Sequence, residues 1–110
     1  MIPLKPSLSH TPQKEQLRSI RAFALRSLLI EKARKKEVTY YSEWMDFFTV
    51  DRFEIAKILD AVIDLDSQMG TPFVSSLVVK KNLTETGFAQ KSGTSQAETQ
   101  QKCFEFYASI

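Results

Sequence analysis

Few side chains in this sequence have the types and spacing that chemistry requires. His10 is the only histidine and Cys103 the only cysteine. A general base must be held in a fixed geometry. His10 stands among Pro3, Pro6 and Pro12 in a stretch without apolar periodicity, so no base is expected there, and a Ser-His-Asp arrangement would need that same histidine. Cys103 falls on the inward side of a helical pattern, whereas a reactive thiol needs accessible, electropositive surroundings. Asp60 and Asp64, one helical turn apart with Asp66 close by, are oxygen donors of the kind that hold a divalent cation. Acids so spaced are ordinarily a solvated helix face, and no metal is expected. Glu54-Ile55-Ala56-Lys57 has the wrong spacing for a nuclease Glu-x-Lys. Gly70, Gly87 and Gly93 are isolated, so there is no phosphate-cradling loop. The expectation is a non-enzymatic protein with no catalytic residue, metal or cofactor.

The elements that could position these groups must fit in 110 residues, enough for one domain. With 43% hydrophobic and 25% charged residues the chain can bury a core and has the balance of a folded protein. One cysteine excludes an internal disulfide. No apolar run is long enough to span a membrane, and MIPLKPSLSH lacks the apolar centre of a signal peptide. A soluble cytoplasmic domain is expected. Charge is unevenly spread. Residues 1–38 carry nine basic and three acidic side chains, a balance of +6; residues 39–70 stand at −5 and residues 71–110 at +1.

Residues 1–10 read as a flexible arm and residues 11–110 as a single domain. Thr11-Pro12 suits a helix start. Leu17, Ile20, Ala24 and Leu28, widened by Phe23, Leu25 and Leu29, predict the buried stripe of a helix running to about Lys36. Val38 to Tyr41 reads as a short strand, Ser42 as the cap of a helix to Phe48 burying Trp44 and Phe47, and Thr49 to Asp51 as a turn. A third helix carries Phe53, Ile55, Ala56, Ile58, Leu59, Val62 and Ile63 and stops at Gly70 before Pro72. Phe73 to Lys80 reads as the strongest strand, Lys81 to Thr86 as a loop, Gly87 to Gln90 as a returning strand, and Lys91 to Gln101 as polar and weakly structured. A last helix over about 96–107 should bury Ala97, Cys103, Phe104 and Tyr107. Alternation leaves Tyr40, Tyr41 and Phe106 as the aromatic residues open to a partner.

That order is the order of a winged helix-turn-helix: an α+β domain with three core helices, a short two- to three-stranded sheet and an extra C-terminal helix, Lys80 to Gly87 forming the wing. Val38-Thr39-Tyr40 followed by a short helix resembles the strand-to-helix lead-in of winged-helix modules, alkylguanine transferases among them. The reactive Pro-Cys-His-Arg segment of those enzymes is absent. Gly70-Thr71-Pro72-Phe73-Val74-Ser75-Ser76-Leu77-Val78-Val79-Lys80-Lys81, then Gly87-Phe88 and Phe104-Glu105-Phe106-Tyr107, resemble a group of small, uncharacterised bacterial winged-helix-like proteins over roughly residues 20–107. The resemblance implies a winged-helix-like fold and no particular activity.

Two functions fit these features. The first is association with nucleic acid, non-specific or within a complex, through Arg18, Arg21, Lys32, Lys35 and Lys36 of the first helix and Lys80 and Lys81 of the wing. The third helix, which would enter the major groove in the usual docking mode, is acidic and would be repelled there. The second is protein interaction, as in an immunity protein, antitoxin or adaptor, with Glu54, Asp60, Asp64 and Asp66 meeting a basic partner. A homodimer is compatible with either, and no membrane partner is expected.

Overall fold

Thr11–Arg34 forms one helix of 24 residues, α1, and Lys32 and Arg34 in its last turn suit the negative end of its dipole. It closes with Lys36 in the left-handed region at φ 59, the Lys36 amide donating to the Ala33 carbonyl and the Glu37 amide to the Lys32 carbonyl. The structure, a computed structural model, describes residues 11–80, 93 and 95–108. The predicted arm over 1–10, the loop over 81–86, the returning strand over 87–90 and most of the wing lie outside the described residues. So do His10 and Lys81.

A two-residue strand β1, Thr39–Tyr40, leads directly into α2, Tyr41–Phe48. Glu43 rather than Ser42 serves the helix start: its carboxylate accepts the Tyr40 amide at 2.8 Å, and Ser42 is an exposed residue within the first turn. After Thr49, left-handed at φ 57, Asp51 caps α3, Arg52–Met69, its carboxylate accepting the Glu54 amide at 2.8 Å. Gly70, at φ 69, ends α3 as expected, with the Thr71 amide reaching back to the Asp66 carbonyl.

The predicted strand over 73–80 is mostly something else. Val74–Leu77 is a 3-10 turn, and only Val78–Val79 is a strand, β2. All six residues from Val74 to Val79 are buried. A strand exposed on one face turns alternate residues outward, but α1, α3 and α4 (Gln96–Ala108) all pack against the 3-10 turn, so no face is free. The tighter winding keeps Val74 and Leu77 together in the core. β2 pairs with β1 in parallel, Thr39 opposite Val78 and Tyr40 opposite Val79, with α2 and α3 in the crossover that parallel pairing requires. The described chain is thus a mostly helical α+β arrangement around a two-stranded parallel sheet.

The buried seam of α1 also differs from expectation. It runs through Ala22, Leu25, Leu29 and Ala33, whereas Leu17, Ile20 and Phe23 are 46%, 64% and 54% exposed. The two alanines let α1 approach the other helices closely, which larger side chains there would prevent. Ile55, Ile58, Val62, Val74, Leu77, Val78 and Cys103 complete the core. Trp44 joins it, its ring N–H donating to the buried Thr39 hydroxyl at 2.7 Å. Phe47 and Phe53, expected inside, are exposed, and on α4 it is Gln96, Thr99, Cys103 and Tyr107 that turn inward, with Ala97 exposed and Phe104 half-buried.

Candidate functional site

The charges of α1 and α3 meet at two levels. Near the start of α3, Arg18 clasps Glu54 with two nitrogens, Nε at 2.8 Å and Nη2 at 3.0 Å. That hydrogen bonding holds the Glu54 carboxyl below the usual carboxylate range and raises the Arg18 guanidinium, desolvation opposing both. At the far end of α3, Arg26 Nε donates to Asp66 at 2.7 Å and its Nη2 to the Thr71 hydroxyl at 3.1 Å. The other donors to the Asp66 carboxylate are the Thr71 hydroxyl at 2.8 Å and the Val74 amide at 3.0 Å.

These contacts redistribute the candidate residues. Asp66 is fully buried, its carboxylate engaged by Arg26 and the Val74 amide; it is not part of a protein-binding surface. Glu54 is engaged by Arg18. Asp60 is half-buried and holds an interaction of its own. Asp64 is exposed, and its carboxylate makes no ion pair or hydrogen bond with another described residue. On the basic side, Arg18 is turned to Glu54 of α3, so the expected stripe loses its amino-terminal member to an ion pair. Lys32 lies 3.6 Å from Glu37, and Arg34 pairs with Glu31 at 3.0 Å. Arg21 is half-buried beside Glu54; Lys35, Lys36 and Lys80 are exposed. In the parallel register Lys35 and Lys36 precede β1 while Lys80 follows β2, so they flank opposite ends of the ribbon.

Between α1 and α3 lies a groove of about 190 Å³ lined by Ser19, Ala22 and Phe23 on one side and Ala61, Asp64, Leu65 and Gln68 on the other. The α3 residues recur at helical spacing and form one face of that helix. Alanines on both helices leave the space; the exposed Phe23 ring and the free Asp64 carboxylate border it. Sequence reasoning singled out Asp64 but placed Phe23 in the core, and a groove made by two helices leaves no mark on either alone. A second cleft, of about 340 Å³, lies between Gly70–Phe73 and α4 and is edged by Lys102 and Phe106. It has the opposite polarity.

Cys103 is buried, its thiol donating to the Phe73 carbonyl at 3.3 Å, and burial pushes it up to about 11. It is in the neutral thiol form that makes poor nucleophiles. Among the described residues no three His, Cys, Asp or Glu side chains are grouped to hold a metal ion, and no described helix is long and apolar enough to cross a membrane. No protein-family model, curated protein or solved structure matches this chain.

Proposed function

We propose that this chain is a non-enzymatic protein-interaction module that meets a basic partner along the face shared by α1 and α3. The observation that carries it is Asp64, an uncommitted carboxylate among the described residues, in one groove with the exposed apolar ring of Phe23. Exposed aromatic and aliphatic groups beside free charge suit a recognition surface, the apolar part supplying buried area and the charge supplying orientation and encounter rate. Pairing of Arg18 with Glu54 supports the same reading, since it engages one cation of the alternative surface. Immunity proteins, antitoxins and adaptors are the class of role this chemistry suits.

Panning a displayed random-peptide library against the immobilised protein tests it. Enrichment of Lys- and Arg-bearing peptides, lost on Phe23→Ser, is expected; enrichment of acidic peptides, or none, overturns the reading.

A second reading keeps nucleic acid as ligand within a winged-helix-like arrangement. It is favoured by the exposed Lys35, Lys36 and Lys80 and by the element order. Three phosphate contacts would give duplex DNA affinity a log–log salt slope of about −3. Fluorescence anisotropy of a random duplex at several salt concentrations measures that slope, and absence of binding at ~50 mM salt removes the reading.

A further inference from the structure

Resting on the basic-partner reading, we propose that the α1–α3 groove is a pocket for one side chain of that partner, cationic at its tip and apolar along its stem: a lysine or an arginine. Three features of the groove converge on that chemistry. Its volume, about 190 Å³, suits a single long side chain rather than a helix or a stacked base. The buried Ala22 and the half-buried Ala61 and Leu65 give it apolar walls, against which the methylenes of a long side chain can lie. Its charged group is the Asp64 carboxylate, and the Phe23 ring offers a π face that attracts a cation and repels an anion. Ser19 and Gln68 line the same groove, and a hydroxyl and an amide carbonyl are acceptors suited to the N–H donors of an ammonium or guanidinium group. Among its described lining residues the cleft edged by Lys102 has a cation and no carboxylate, which selects against the same probe.

The pocket is tested apart from any partner by titrating the ¹⁵N-labelled full chain with three blocked amino acids: the Nα-acetyl methylamides of lysine, arginine and norleucine. The lysine and arginine compounds should shift the amides lining the groove and saturate in the millimolar range, on the order expected for one side chain in one shallow site. Norleucine, which keeps the stem and lacks the charge, should bind at least about fivefold more weakly. Asp64→Asn should weaken the two cationic probes by about five- to tenfold and leave norleucine unchanged. Phe23→Ala should weaken all three, and Lys102→Ala none. Both Asp64 and Phe23 are exposed, so the variants keep the fold, which circular dichroism verifies. Norleucine binding as tightly as lysine, shifts that map elsewhere, or cationic probes indifferent to Asp64→Asn each overturn the pocket. Basic peptides that are selected from a library yet bind Asp64→Asn as well as wild type overturn the pocket and leave the basic-partner reading standing. Probes that fill the groove while the library returns no basic peptides do the reverse. The tighter of the two cationic probes identifies the anchoring side chain.

Discussion

Asp66 illustrates how much a single side chain organises here. Its carboxylate receives the Arg26 guanidinium, the Thr71 hydroxyl and the Val74 amide, and none of its surface meets solvent. Asp66→Ala would leave the largely buried Arg26 charge and the Val74 N–H without a partner. The expected loss is about 3–5 kcal/mol of unfolding free energy by urea denaturation; a loss under ~1 kcal/mol would mean that water replaces the carboxylate. Cys103 gives a second prediction at this scale. Its folded-state thiol is pushed up to about 11, first by burial, with the Ser76 contact opposing and the Asp66 charge adding. In the unfolded chain the thiol ionises near its ordinary value of about 8.5. The fold therefore holds a proton that the unfolded chain releases, and stability present below about pH 8.5 is lost as pH rises toward 11. Burial raises Tyr107 as well, so it adds to the loss at higher pH still. Unfolding midpoints between about pH 8 and 11 should fall less steeply for Cys103→Ala than for wild type, and equal slopes would assign the decline to other groups.

At the scale of elements, the 3-10 turn and β2 draw part of their hydrogen bonding from α4. The buried Gln96 amide donates to the Ser76 carbonyl at 3.0 Å and the Val78 carbonyl at 3.2 Å, and Gln100 adds a bond to Ser76 at 2.8 Å. Gln96→Leu preserves size but leaves the Val78 carbonyl without this donor, and should lower thermal stability by about 1–3 kcal/mol; an unchanged melting temperature would show that the glutamine contact is dispensable. This dependence explains what was legible in the sequence and what was not. The extents of the helices and the stop at Gly70 were readable because caps and periodicity are local. The strand over 73–80 was not, because Val74, Leu77, Val78 and Val79 suit a strand and a buried turn equally, and Gln96, Gln100 and Asp66, which decide between them, belong to other elements. The stripe of α1 was misassigned for a related reason. Size favours Leu17, Ile20 and Phe23 as core residues, but close helix contact selects Ala22 and Ala33, with Arg18 and Arg26 turned toward their acids. Half of the candidate groove, Asp64, was visible as a surface acid; Phe23 became part of it only once the seam had rotated.

For the whole molecule, α4 acts as a lid on the core rather than an appendage. It supplies Cys103 and Tyr107 to the buried cluster and packs against both α1 and the 3-10 turn. A chain ending at residue 95 would expose Leu77, Val78 and the carbonyls that the glutamines satisfy. It should melt without a cooperative transition by circular dichroism and bind a hydrophobic dye; a sharp sigmoidal melt would show that the remaining helices hold a core unaided. The charge asymmetry also takes on a structural meaning at this scale. Part of the +6 amino-terminal balance and part of the −5 that follows are spent against each other in the Arg18–Glu54 and Arg26–Asp66 pairs, which join α1 to α3.

The Val74 amide has a consequence in time as well as in space. Its hydrogen is given to a carboxylate enclosed by α1, α3 and the 3-10 turn together, so deuterium can replace it only when those segments part. Its exchange rate should match the slowest amides of the protein and clock global opening rather than local fraying. A basic ligand seated on α1 and α3 would then slow that clock in proportion to its occupancy, so that one amide, remote from the surface, reports on what the surface holds.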